Sequence, residues 1–117
     1  MSFRFEKLKV WQLSRQFVKV VYAISKDFPK DEIFGLISQI RRAALSIMLN
    51  ITEGSDRKSD KEFIRFLRIA LTSLEEVVGC TYVALDQQYM SKERFDFIYE
   101  VANKVAQKIN ALINSLK

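Results

Sequence analysis

Apolar side chains in this sequence return at alternating steps of three and four residues, and they do so in four separate stretches. That spacing follows one face of a helix with 3.6 residues per turn and does not fit the strict alternation of a half-buried strand. The first stretch carries Val10, Leu13, Phe17, Val20 and Ile24 and is expected to end near Phe28-Pro29, because the residue before proline is pushed out of the α region. The second carries Ile33, Ile37, Ile40, Ala44, Ile47 and Ile51, with Gly54 read as a left-handed C-terminal cap. A polar link, Ser55 to Lys58, leads to Ser59-Asp60-Lys61-Glu62, the pattern of a capping box. The third stretch then runs through Phe63, Leu67, Ala70, Leu74, Val77, Thr81 and Ala84 to about Gln87. Gly79 inside it sacrifices about 1 kcal/mol of helix propensity relative to Ala, which points to close packing there. Ser91 opens the fourth, which carries Phe95, Ile98, Ala102, Val105, Ile109, Leu112 and Leu116.

Four amphipathic helices on short links predict an all-α fold, an antiparallel up-down-up-down four-helix bundle, with residues 1–117 as one domain. With 3 Gly and 1 Pro there is too little turn chemistry for a many-stranded β fold. The second helix is greasier than its stripe requires, since Leu36, Ala43, Leu45, Met48 and Leu49 lie outside it. Such a helix is either central to the bundle or covered by a second chain. Leu45, Met48 and Leu49, together with Trp11, are the candidate subunit contacts; Trp11 could equally cover the edge of its own bundle.

The absence of His and the presence of a single Cys remove most catalytic designs: no His base, no Cys-His or Ser-His nucleophile, no Cys/His zinc site. A carboxylate-only metal site is disfavoured because Glu75 and Glu76 are adjacent, so at most one faces inward. No catalytic residue, metal or cofactor is expected. The N-terminus carries charges where a signal peptide needs an apolar core, and no apolar run approaches the ~20 residues of a membrane-spanning helix. The lone Cys80 reads as a small buried side chain, and the expected location is the cytoplasm.

Basic residues offer the one functional signal. The net charge is +5, and it resides in the first half: residues 1–58 hold 11 Lys and Arg against 6 Asp and Glu, while residues 59–117 hold 8 of each. Arg57, Lys58, Lys61, Arg65 and Arg68 cluster from the link into the third helix, the last three on one helical face. They could contact successive phosphates of RNA or DNA, or be solvated charges paired with Glu53, Glu62 and Glu75. Arg41 and Arg42 interrupt the apolar second helix and suit either phosphate contact or a carboxylate across the bundle or a subunit interface.

The order of several motifs is distinctive as a set: Phe5-Glu6-Lys7-Leu8-Lys9-Val10-Trp11-Gln12, then Phe28-Pro29 with Phe34-Gly35-Leu36, then Gln39 to Gly54 (QIRRAALSIMLNITEG), then Glu62 to Ala70 (EFIRFLRIA) and Ser73-Leu74-Glu75. Together they resemble the four-helix bundle family named after the 23S rRNA intervening sequence. The resemblance implies a homopentamer. Through a related branch, the accessory proteins of diversity-generating retroelements, it also implies a basic surface, RNA or DNA, and a reverse transcriptase as partner. Arg41-Arg42, Glu53-Gly54, Arg65 and Glu75 match the family pattern. Met48-Leu49 stands where the family usually has Pro-Ser, and Thr52 where it has Ala, which implies a straighter second helix. The functional expectation is therefore a non-enzymatic oligomer that binds structured RNA or DNA, with a protein–protein adaptor or assembly scaffold as the alternative.

Overall fold

A computed structural model describes residues 2–117. A 3-10 turn, Arg4–Lys7, precedes α1 (Lys9–Ser25); a second, Lys30–Glu32, precedes α2 (Leu36–Ser55); α3 (Asp60–Asp86) and α4 (Lys92–Leu116) follow. There is no strand among the described residues, and the bundle measures 44 × 23 × 22 Å. Cross-helix contacts fix an antiparallel order. The indole of Trp11 at the start of α1 donates to Thr52 Oγ1 near the end of α2 at 2.8 Å, while Arg41 Nε near the start of α2 donates to Ser25 Oγ at the end of α1 at 2.8 Å. Gly54 lies against Phe63 and Phe66, and Ser46 Oγ shares a hydrogen bond of 2.7 Å with Ser73 Oγ, so α3 runs back along α2. The rings of Tyr82 and Phe95 meet at 4.9 Å, and Arg94 Nη1 donates to Asp27 Oδ2 at 2.6 Å, which places the start of α4 beside the ends of α3 and α1.

The helix ends follow their local chemistry. Ser59 Oγ accepts from the Glu62 N–H and Ser91 Oγ from the Arg94 N–H, each at 3.1 Å. Only half of the capping box at Ser59 forms, because Glu62 turns its carboxylate to Arg65. At the far end of α3, Gln88 takes φ 64°, the left-handed conformation, and its N–H donates to the Leu85 carbonyl while the Tyr89 N–H donates to that of Ala84. That pair of bonds is a Schellman closure, built here without glycine.

The core agrees with the expected stripe at every position of α3 and departs from it in three places. In α1 the buried set is Val10, Ser14, Phe17, Val21 and Ile24, with Leu13 and Val20 half-buried. A three-four alternation can be phased either way, and the positions of α2 and α4 choose. Ser14 is tolerated because its hydroxyl donates to the Trp11 carbonyl at 2.7 Å. Ile33 is 55% exposed, because the turn after Pro29 delays the helix to Leu36. In α4 Ile113 is buried while Leu112 and Leu116 are only partly covered.

Both glycine expectations are corrected. Gly54 is not a left-handed cap; it lies within α2, no glycine has positive φ, and a Cβ on it would sit 2.7 Å from Phe66 Cβ. Its role is close approach of α2 and α3. Gly79, read as a close-packing position, has nothing within 4 Å of where its Cβ would be.

Arg41 is a tie between α1 and α2 rather than half of an ion pair. Besides Ser25, its guanidinium donates to the Tyr22 carbonyl at 3.4 Å and lies 4.7 Å from the Tyr22 ring centre. A cation at the C-terminal end of α1 also opposes the helix dipole favourably. Arg42 is exposed, with no ion-pair partner among the described residues.

These contacts set opposite outcomes for paired substitutions. Gly54→Ala is expected to lower stability by about 1–2 kcal/mol, since overpacking against a Cβ outweighs the gain in helix propensity. Gly79→Ala is expected to raise it by about 1 kcal/mol. Urea midpoints of the two variants check both signs. Arg41→Ala is expected to cost about 1–2 kcal/mol through its lost hydrogen bonds and ring contact, and Arg42→Ala to fall within about 0.5 kcal/mol of the parent; thermal unfolding of the pair separates the two arginines.

Candidate nucleic-acid interface

The cationic residues expected to act together gather at the end of the bundle where α2 hands over to α3. The path begins with Gly54. Because it has no side chain, the Phe66 Cβ and the Phe63 ring lie close against α2, and Phe66 is nearly enclosed. Two guanidinium groups cover it: Arg57 at 5.0 Å and Arg65 at 4.6 Å from the ring centre. Arg57 also meets Glu53 at 2.6 Å, and Arg65 meets Glu62 at 3.3 Å. The Arg65 hydrogen bond and charge hold the Glu62 carboxyl below its ordinary range, with Arg57 and Lys61 adding to the effect. The pair therefore survives to lower pH than a free carboxylate would allow, and is lost as pH falls through the depressed value.

These pairs are exposed and screened by solvent, so either arginine can exchange its carboxylate for another anion at small cost. Lys58, Lys61 and Arg68 are exposed and have no ion-pair partner among the described residues. Lys61, Arg65 and Arg68 share the outer face of α3, as their spacing predicts. Farther along the same helix the exposed charges are Glu75, Glu76 and Asp86. The outer face of α3 thus divides into a cationic first half and an anionic second half. Glu75 is not a partner of the basic cluster; it lines a groove of about 320 Å³ between α3 and α4 with Leu74, Val78, Tyr99, Ala102 and Ala106.

Of the two arginines in the second helix, Arg42 is open to solvent and Arg41 is held by the end of α1. Sequence reading missed Arg4. Its Nη1 donates to the Ser55 carbonyl at 2.9 Å and its guanidinium lies 5.5 Å from the Phe63 ring centre, so it closes the C-terminal end of α2. Nothing in its spacing announces this, because the contact joins positions 51 residues apart.

The apolar candidates divide as well. Trp11 covers the edge of its own bundle, half-buried between Phe5, at 4.8 Å, and Thr52. Leu45 and Met48 are half-exposed and lie outside the core cluster, and Leu49 is 56% exposed. The three lie on a side of α2 that the bundle leaves uncovered. Cys80 is half-buried, and desolvation followed by the charge of Glu76 pushes its thiol above the usual range, which makes it a poor nucleophile. Among the described residues no helix is long and apolar enough to cross a membrane, and no group of three or more His, Cys, Asp or Glu could hold a metal ion.

The same architecture occurs in a crystal structure from Bacteroides thetaiotaomicron, described as a protein of unknown function from the S23 ribosomal protein family. It is 24% identical, with 89% of this chain and 97% of that chain covered at a TM-score of 0.81, a likeness of fold. No curated protein matches the chain. The family model described as 23S rRNA-intervening sequence protein matches residues 6–111, which spans α1 to α3, most of α4 and the cationic handover between α2 and α3. On that match the chain belongs to the 23S rRNA-intervening sequence protein family.

Proposed function

We propose that this chain is a non-enzymatic oligomer that binds structured RNA or DNA through the cationic end of α2 and α3. The observation that supports it most is the exposed set of Lys58, Lys61 and Arg68, cations without carboxylate partners among the described residues, flanked by Arg57 and Arg65. Arg57 and Arg65 are pre-oriented: stacking on Phe66 restricts them while their outer N–H groups remain available to phosphate. Arg42 lies apart from this cluster, toward the second half of α3, since Ser46 one turn on already meets Ser73, and Arg41 serves the fold. The name of the family, tied to ribosomal RNA, favours RNA as the polymer. By the same resemblance the assembly is a homopentamer, with a reverse transcriptase as a partner of the related branch. In this reading copies meet through Leu45, Met48 and Leu49, with Trp11 stiffening the neighbouring seam.

A second reading has its own observation. Tyr82 and Tyr99 flank Phe95 at ring distances of 4.9 and 5.9 Å, both are exposed, and Tyr99 lines the α3–α4 groove. This aromatic patch, apart from the Lys58–Arg68 cluster and with Lys92 5.2 Å from the Phe95 ring centre, suits an adaptor that docks another protein.

Affinity of the native chain for a structured RNA is expected to fall about 500-fold between 50 and 200 mM salt if five cations meet phosphate. The triple variant Lys58→Glu, Lys61→Glu, Arg68→Glu should bind at least tenfold more weakly at low salt, measured by filter retention; unchanged retention would place the interface elsewhere. Assembly has an independent readout. Light scattering is expected to give a multiple of the 13.7 kDa chain mass. Leu45→Glu with Leu49→Glu should reduce it to the single chain while circular dichroism stays helical; a native chain of monomeric mass would contradict the oligomer.

A further inference from the structure

The 3-10 turn ahead of α1 lays an aromatic stack across the end of α2. Phe3 and Phe5 are stacked, 5.8 Å apart and 17° from parallel, and Phe5 packs 4.8 Å from Trp11. The stack is anchored at its inner end, where the Trp11 indole donates to Thr52, and the turn is held by Glu6 Oε1, which accepts from the Phe3 N–H at 3.0 Å. Its outer end is open: Phe3 is 66% exposed. Beside it runs a groove of about 290 Å³, with Phe3 and Phe5 on one side and Glu53, Asp56 and Arg57 on the other.

The charges of that groove decide what it can take. Arg4 is committed to the Ser55 carbonyl and the Phe63 ring, Arg57 faces Glu53, and Asp56 adds a second carboxylate. A phosphate in the groove would meet two carboxylates, whereas a flat neutral group would meet an aromatic face and polar rims. Lys58 and Lys61, which have no ion-pair partner among the described residues, begin just past Arg57 in the chain. A neutral planar group carried between phosphates is an unpaired nucleotide.

We infer that Phe3 is a stacking platform for one unpaired base of an RNA strand whose phosphates follow Lys58 and Lys61. This inference rests on the RNA-binding reading above and adds a preference to it. A duplex keeps its bases stacked on each other, so the platform selects loops, bulges and single-stranded ends.

The test uses the full chain with a short single strand and a duplex of the same sequence, both carrying 5-iodouridine, at low salt. Ultraviolet crosslinking followed by peptide mass mapping is expected to place the single strand on Phe3. Phe3→Ala should weaken single-strand binding by about five- to a hundredfold, the range for losing one base–aromatic stack. Duplex binding and native mass should stay unchanged, and Phe3→Trp should retain single-strand affinity. The platform is overturned if Phe3→Ala binds the single strand like the parent, if crosslinks map elsewhere, or if native mass changes, which would make Phe3 a contact between copies. Failure to retain either RNA would remove the platform together with the RNA reading; retention with an indifferent Phe3→Ala removes the platform alone.

Discussion

A missing side chain sets the geometry of the cationic end. Gly54 lets α3 approach α2 until Phe66 Cβ lies where a methyl group would otherwise be. With that approach Phe66 is nearly enclosed, yet its ring still faces two guanidiniums, Arg57 from the link and Arg65 from α3. Two long, flexible side chains lose freedom on a surface that already exists, so less entropy remains to be lost when an anion arrives. Moving the helices apart would loosen the ring and the guanidiniums together. Packing in the core and chemistry at the surface are therefore one arrangement at this end.

The far end of the bundle is built on different terms. There the outer face of α3 carries Glu75, Glu76 and Asp86, the rings of Tyr82 and Tyr99 are exposed, and Tyr99 lines a shallow groove. On the proposed reading, an anionic polymer drawn to the Lys58–Arg68 face would be repelled from this one, which would orient it even where no base is read. The same separation leaves the apolar end free for a protein. The two readings of function thus use different surfaces, and a chain of this size has room for both.

Much of the fold could be read from the sequence because helical periodicity is a local property. All seven stripe positions expected in α3 are buried, and Ser59 and Ser91 cap as their position suggests. What could not be read depends on neighbours. Leu13 against Ser14 is a choice of phase made by the helices on either side of α1. Gly54 and Gly79 look alike as helix glycines, and only the distance to α3 or to open solvent tells them apart. The basic cluster was legible as a cluster, since its members lie within a few turns. Its division into paired arginines and unpartnered Lys58, Lys61 and Arg68 was not, nor was the withdrawal of Arg41 into the fold. Phe3 was invisible as an exposed ring because a 3-10 turn has no periodicity to read.

The departure from the family pattern at Thr52 has a physical consequence at the first seam. Its hydroxyl accepts from the Trp11 indole and donates to the Met48 carbonyl at 3.0 Å, so one side chain satisfies a part-buried donor and a helix carbonyl together. Alanine there would leave the indole N–H without that acceptor, at a cost of about 1–3 kcal/mol if water could not replace it. The aromatic stack that begins at Phe3 ends on this bond, which means its rigidity is set from α2. Proline at position 48 would also remove the N–H that closes the helix on Ala44. The continuous α2 of this chain instead carries Leu45, Met48 and Leu49 along one unbroken ridge, and on the proposed reading that ridge brings copies together. A surface with few free cations binds one strand weakly, but copies held at fixed spacing present several such surfaces to one polymer, and each later contact is intramolecular. Straightness of α2, through the ridge it keeps in register, would then control affinity without touching a phosphate.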